Sequence, residues 1–190
     1  MGTELGPDYY NEIFESGGLF ASTYQAPWLP IWIKAASWIN DSNVDAVVDL
    51  GCGPGHLARI LLEAGYQGTY SGYDFADVAI EKARQLVDDD RYGFTHANLK
   101  GVNVSELTGG RKAAYVSTEF LEHVEWDLEL IRTIPAGSLF VGSVPAFDSP
   151  GHVRHFPDLA DVKARYGQVI TMAEAMRIGR AHYVFCGTVK

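Results

Sequence analysis

A chain of 190 residues, 47% hydrophobic and 21% charged, carries enough apolar material for one domain with a single sizeable core. Its net charge of −9 disfavours broad electrostatic capture of nucleic acid, although Arg154, Lys163 and Arg165 leave a local basic groove open. Two cysteines, Cys52 and Cys186, make no disulfide framework, no stretch reaches the apolar length of a membrane span, and no basic segment followed by an apolar core opens the chain. These features together set the cytoplasm as the expected location.

Residues 1–26 are polar and aromatic, with Tyr9, Tyr10, Phe14, Phe20 and Tyr24 spaced without a clear period and interrupted at Gly17 and Gly18. Next, Trp28, Ile31, Trp32, Ala35, Trp38 and Ile39 recur at helical spacing and predict an amphipathic helix. Lys34 is its only charge, too little basic character for a helix lying on a membrane surface, so the helix is expected to cover a sheet. From residue 44 the pattern alternates. Strands are predicted at 44–50, 69–75, 92–97, 113–118 and 138–144, and helices at 57–64, 77–88, 126–134 and 158–166. Gly65 closes the first of these helices and Asp77 caps the second, while 99–110 reads as an irregular or short helical link. Residues 168–177 and 181–189 form a closing strand pair that turns at Gly179. The alternation predicts an α/β fold: a mostly parallel sheet with helices on both faces and an antiparallel pair at its end. One domain is expected, 1–43 forming a helical cap or substrate segment and 44–190 the core.

The run Asp49-Leu50-Gly51-Cys52-Gly53-Pro54-Gly55 sits between the first strand and the first helix. There, glycines let backbone N–H groups approach a nucleotide-type ligand. His56 occupies the place of the last glycine or alanine in the dinucleotide fingerprint, which weakens a nicotinamide reading. The run resembles motif I of the class I S-adenosylmethionine-dependent methyltransferases, and the similarity extends from about residue 44 to the end. That resemblance implies a Rossmann-like methyltransferase fold and S-adenosylmethionine as methyl donor. Its cofactor residues would be Asp49, Gly51, Cys52, Gly53, Gly55, Asp74 and Phe75, with Asn98 at the adenine position where the family often has Asp, and Glu119 beyond them. Asp74 ends the second strand, where a carboxylate can accept from both ribose hydroxyls.

After the fourth strand, Glu119-Phe120-Leu121-Glu122-His123 resembles the E-x-x-E-H segment of the ubiquinone-biosynthesis O-methyltransferases. Gly151-His152-Val153-Arg154-His155-Phe156 resembles the loop after the fifth strand in the same subgroup. Three readings stand for this block. In the first, Glu119, Glu122 and His123, with His152 or His155, hold a divalent cation (Mg or Mn) that acidifies a substrate hydroxyl. In the second, His123 or His155 is a general base. In the third, the residues only support their loops. Acids and histidines at the sheet edge suit an oxygen acceptor, and a small-molecule hydroxyl is the expected one. An RNA end, a sugar or a peptide group is the alternative, as is a binding module without catalysis. Tyr9, Tyr10, Phe20 and Tyr24, and residues 146–150, either close over the cofactor or pack against the sheet. Nothing in the sequence sets an oligomeric state.

Overall fold

The computed structural model describes residues 2–190. Its frame is a seven-stranded sheet in the order β3-β2-β1-β4-β5-β7-β6. The strands are β1 (Ala46–Leu50), β2 (Thr69–Asp74), β3 (Tyr92–His96), β4 (Ala113–Thr118), β5 (Leu139–Pro145), β6 (Ile170–Ile178) and β7 (His182–Val189). The first five are parallel, as the alternation predicts, and β6 and β7 form the expected closing pair, with β7 antiparallel between β5 and β6. The helices are α1 (Pro7–Ser16), α2 (Leu29–Asp41), α3 (His56–Glu63), α4 (Asp77–Leu86), α5 (Asp127–Arg132) and α6 (Leu159–Tyr166). Among the described residues no helix is long and apolar enough to cross a membrane.

Two apolar layers follow from the two-residue period of the strands. Val47 of β1 faces a layer with Trp32 and Ile39 of α2, Leu57 and Leu61 of α3, and Tyr70 and Phe94 from the neighbouring strands. Val48 and Leu50 face the opposite layer, with Tyr115, Phe140, Leu130, Tyr166 and Phe185. The chain leaves β1 toward β2 and β3 on one side and returns to β4 and β5 on the other. Ligands of open α/β sheets bind at such a reversal, beyond the carboxyl ends of the strands.

Three local expectations are corrected. Residues 7–16, read as having no clear period, form α1: Pro7 starts it, Gly17 at φ 73° ends it, and Tyr10, Ile13 and Phe14 make one inward face. Asp77 is not the cap of α4. That position belongs to Ala76, while Asp77 begins the helix and accepts from Asn11 Nδ2 at 2.6 Å, tying α1 to α4. Two of the three cations of the expected basic groove, Arg154 and Arg165, are paired within the fold. Both turn onto the fully buried Asp127, with Arg165 making a two-pronged contact at 2.6 and 2.8 Å and Arg154 approaching to 3.2 Å.

Candidate active site

The turn after β1 is stitched to the end of β2. Gly51 and Cys52 both donate their N–H groups to the Tyr73 carbonyl, at 2.9 and 3.0 Å. Gly53 donates to Asp74 Oδ2 and Ala76 to Asp74 Oδ1, each at 2.9 Å. Gly51 has φ 82°, and a Cβ there would stand 2.5 Å from the Phe120 ring, so glycine is required both by conformation and by space. Asp74 is buried, which raises its pKa, although the backbone N–H groups offset part of that cost. A carboxylate has about four lone-pair sites. Two are occupied by the backbone, and the side chain still lines the cavity.

That cavity has a volume of about 410 Å³. One half is bounded by Gly51, Cys52, Gly53, Asp74, Phe75 and Asn98, and the other by Glu119, Phe120, Glu122, His123, Phe147 and His152. Of the residues expected at the cofactor, these six of the first half and Glu119 therefore meet around one space. Asp49 and Gly55 do not line it. Period two puts Asp49 on the face of Val47, where Tyr70 donates its hydroxyl to Asp49 Oδ2, and burial pushes the Asp49 carboxyl up to about 7. Gly55, at φ 81°, precedes α3 and packs against Ala83 of α4. Asn98 sits at the rim, its Oδ1 accepting from the Lys100 N–H at 2.9 Å.

The block after β4 divides in two. Glu119 has φ 54°, a strained conformation for a residue with a side chain. Ser143 of β5 holds it there: its Oγ accepts from the Glu119 N–H at 3.1 Å and donates to Glu119 Oε1 at 2.7 Å. The other carboxylate oxygen lies 3.3 Å from Nε2 of His182 on β7, and burial lifts Glu119 to about 7. Glu119 is thereby held by β5 and β7, and it is not one of the three residues whose ligating atoms lie within 4.8 Å of one another. His182 is a neighbour the sequence reading missed, since only the β5–β7 pairing brings it there. Pro145 and His182 are partners in that register.

Glu122, His123 and His152 do come together, with one potential ligating atom from each lying within 4.8 Å of the others. Glu122 is 1% exposed, and among the described residues neither of its carboxylate oxygens has a hydrogen-bond partner. Burial and the Glu119 charge push its carboxyl well above the usual range. His123 Nε2 is 3.8 Å from Glu122 Oε1, and its Nδ1 faces Tyr10 and Gly151. Burial and the neighbouring His152 lower His123 to about 4. His155 lies elsewhere: it is exposed, outside the cavity, and 3.9 Å from Asp148.

The segment before β1 closes the space. Tyr9, Tyr10 and Phe20 line the cavity, whereas Tyr24 is exposed and donates to Glu63 on the surface. His56, in the position where the dinucleotide fingerprint asks for glycine or alanine, is buried and anchors this segment. Its Nδ1 is 2.8 Å from Thr23 Oγ1, its Nε2 is 3.1 Å from the Phe20 carbonyl, and its ring stacks on Trp32 at 4.9 Å. Gly2 donates to the His152 carbonyl at 3.1 Å, and Glu4 accepts from the Glu125 N–H at 2.6 Å.

Residues 47–134 match the family model described as a methyltransferase domain. Trans-aconitate 2-methyltransferase of Streptomyces coelicolor is 29% identical over 121 residues, 60% of this chain. The chain spans about two fifths of that relative, with 39% of its length covered. Among solved structures, a putative methyltransferase of Haloferax volcanii in complex with the Trm112 activator superposes with a TM-score of 0.69 at 15% identity, over 95% of this chain and 97% of that one. Magnesium protoporphyrin IX methyltransferase of Synechocystis with bound S-adenosylhomocysteine gives 0.63 at 17% identity, over 85% and 83%. The chain therefore carries a match to a methyltransferase domain over residues 47–134 and has the fold of these methyltransferase structures.

Proposed function

We propose that the domain transfers a methyl group from S-adenosylmethionine to a hydroxyl of a small molecule, as the resemblance to the ubiquinone-biosynthesis O-methyltransferases implies. The observation that carries this reading is one cavity, shared by the Gly51–Gly53 turn with Asp74 and by the cluster Glu122, His123 and His152. When bound, S-adenosylmethionine supplies a sulfonium whose methyl passes to a nucleophile held in line with it. The chain's part is positional: Asp74 and Asn98 would hold the ribose and adenine, and the backbone around Gly51 and Gly53 would leave room for the methionine end. Fixing both reactants in one space supplies much of the rate, and loss of the acceptor's proton supplies more when the acceptor is a hydroxyl.

The cluster fits a divalent cation better than it fits a lone base. Glu122 offers two buried oxygens with no hydrogen-bond partner among the described residues, and a neutral imidazole is the ligating form of histidine. An imidazole with a pKa near 4 is a weak proton acceptor at neutral pH. Glu122, His123 and His152 would hold a Mg or Mn ion, which would lower the pKa of an acceptor hydroxyl.

Size and charge narrow the acceptor. A cavity of about 410 Å³, with α1 and its preceding segment beside it, favours a small acceptor over an RNA end or a folded peptide. Among the described lining residues Lys100 is the only lysine or arginine, and it lies 3.9 Å from Glu4, whereas Glu4, Asp74, Glu119 and Glu122 are acids. The side chains alone offer a polycarboxylate little positive charge there, while Tyr9, Tyr10, Phe120, Trp126 and Phe147 suit an aromatic ring.

Tryptophan-fluorescence titration with S-adenosylhomocysteine and NAD tests the cofactor, and a panel of acceptors followed by S-adenosylhomocysteine release, with and without chelator, tests the rest. Binding of S-adenosylhomocysteine but not NAD is expected, with chelator-sensitive turnover of small phenols and alcohols. Absence of S-adenosylhomocysteine binding sinks the reading.

A further inference from the structure

Four carboxylates line the cavity, Glu4, Asp74, Glu119 and Glu122, and three of them are already engaged. Glu4 accepts from the Glu125 N–H and lies 3.9 Å from Lys100. Asp74 is tied to two backbone N–H groups at the end of β2, and Glu122 is sealed beside His123 and His152. Glu119 differs from these. Its side chain keeps 17% of its surface exposed, against 1% for Glu122. The acid of the glycine run is no substitute, since Asp49 lies outside the cavity and is bonded to Tyr70.

The polar neighbours that hold Glu119 are neutral. Ser143 Oγ donates to Oε1 at 2.7 Å. His182 Nε2 stands 3.3 Å from Oε2 without completing a hydrogen bond, and burial lowers the His182 pKa, so the ring is uncharged near pH 7. The Trp28 indole is the third such neighbour. Among the described residues no lysine or arginine lies within salt-bridge distance of Glu119, and the nearby Glu122 is another acid. A carboxylate has about four lone-pair sites, and a buried one is costly without a cation. Its complement is therefore a positive group carried by a ligand.

Strand order says which part of a ligand reaches it. β1 lies between β2 and β4, so Asp74 and Glu119 end strands two apart, roughly 10 Å across the sheet, with the Gly51–Gly53 turn between them. Phe120, next to Glu119, packs on Gly51 so closely that a Cβ there would stand 2.5 Å from its ring. A cofactor with adenine at Asn98 and ribose at Asp74 runs over β1 toward β4, and its methionine end carries two positive centres, the sulfonium and the α-ammonium. Methyl transfer abolishes the charge on sulfur. A carboxylate held against the sulfonium would stabilise the ground state more than the transition state and slow the reaction. The ammonium keeps its charge throughout.

We infer that Glu119 is a cofactor-binding residue whose carboxylate, presented by Ser143 and given no cation by the fold, receives the α-ammonium of S-adenosylmethionine. The inference rests on reading the cavity as the methyl-transfer site. It also gives a use to the strained backbone at Glu119, which two contacts from Ser143 hold at φ 54°.

Isothermal titration calorimetry of the full chain in chelator tests this without a divalent ion and without an acceptor. The two ligands are S-adenosylhomocysteine and its analogue in which hydrogen replaces the α-ammonium. The wild type is expected to bind S-adenosylhomocysteine at least tenfold more tightly than the analogue. Glu119→Gln keeps an acceptor for Ser143 and removes the charge. It should weaken S-adenosylhomocysteine at least tenfold, about 1.4 kcal/mol, and the analogue less than about threefold. Equal wild-type affinities for the two ligands overturn the inference whether or not the variant folds. Equal losses for both ligands in the variant, or an unchanged affinity for S-adenosylhomocysteine, overturn it as well. Failure of the wild type to bind S-adenosylhomocysteine instead overturns the methyl-transfer reading.

Discussion

At the scale of single residues, Asp49 belongs to the floor beneath the glycine turn. It is 1% exposed, bonded to Tyr70, and raised by burial from 3.8 to about 7. A carboxyl whose folded pKa exceeds its unfolded value holds a proton in the native state that the unfolded chain has released. The stability it lends is complete below about 3.8 and is lost as pH rises toward 7. The buried histidines act in the opposite sense. His123 is lowered from 6.5 to about 4, so its contribution is present above 6.5 and is lost as pH falls through that range. The two effects overlap between pH 4 and 6.5, and the whole-protein curve conceals both. A difference curve separates them. Asp49→Asn keeps an acceptor for Tyr70 and cannot ionise, so wild type should lose stability relative to this variant by up to about 1.4 kcal/mol per pH unit between pH 5 and 7. Urea unfolding at several pH values measures this, and parallel curves for the two proteins would refute it.

At the scale of elements, α5, α6 and the loop after β5 are joined through Asp127. Its buried carboxylate takes both prongs of Arg165, the Tyr166 hydroxyl at 3.1 Å, and Arg154. Arg154 also donates to the Leu121 and Val124 carbonyls, so it holds the one-turn segment that carries Glu122 and His123 against the loop that carries His152. Removing one partner of a buried ion pair leaves the others uncompensated. Asp127→Ala should therefore cost about 3–5 kcal/mol. Arg59→Ala, which breaks the surface pair with Glu63 at 2.6 Å, should cost less than about 1 kcal/mol. Denaturant midpoints for the two variants decide between a structural keystone and an ordinary salt bridge, and similar losses would remove the special role given to Asp127. The sequence showed Arg154 and Arg165 only as a loose basic cluster, because their partner lies 27 and 38 residues away and only the packing of α6 on α5 reveals it. Strands and crossover helices were legible for the opposite reason. Their signals are local periods, and each β–α unit carries its own turn residues. At the site, the glycine turn, Asp74 and the E-x-x-E-H spacing were visible as local motifs. The contacts Tyr10–His123 and Glu119–His182 were not, since they join residues 113 and 63 positions apart.

At the scale of the molecule, the cavity is enclosed by pieces of unequal standing. The sheet side is made from the ends of β1, β2 and β4, each paired along its length with neighbours. The other side is the segment up to Trp32, in which α1 is ten residues long, too short to be stable alone in water. Its ties are few: Asn11 to Asp77 and Val78, Lys82 to the Phe14 carbonyl, Tyr10 to His123, and the face of Tyr10, Ile13 and Phe14 against Ala76 and Ala79. Local opening free energies follow such differences in burial and hydrogen bonding, so α1 should open far more often than the strands while the cavity is empty. A ligand that fills the space completes the apolar surface of Tyr9, Tyr10, Ile13 and Phe14 and stabilises the closed arrangement by its differential affinity for it. Hydrogen exchange should therefore show fast amides within α1 in the free protein and at least tenfold slowing there, about 1.4 kcal/mol, in S-adenosylhomocysteine. The amides of β1 and β4 should change much less. Equal slowing in α1 and the central strands would mean that the ligand stabilises the protein only globally, and that the segment before β1 is a fixed wall rather than the part that closes.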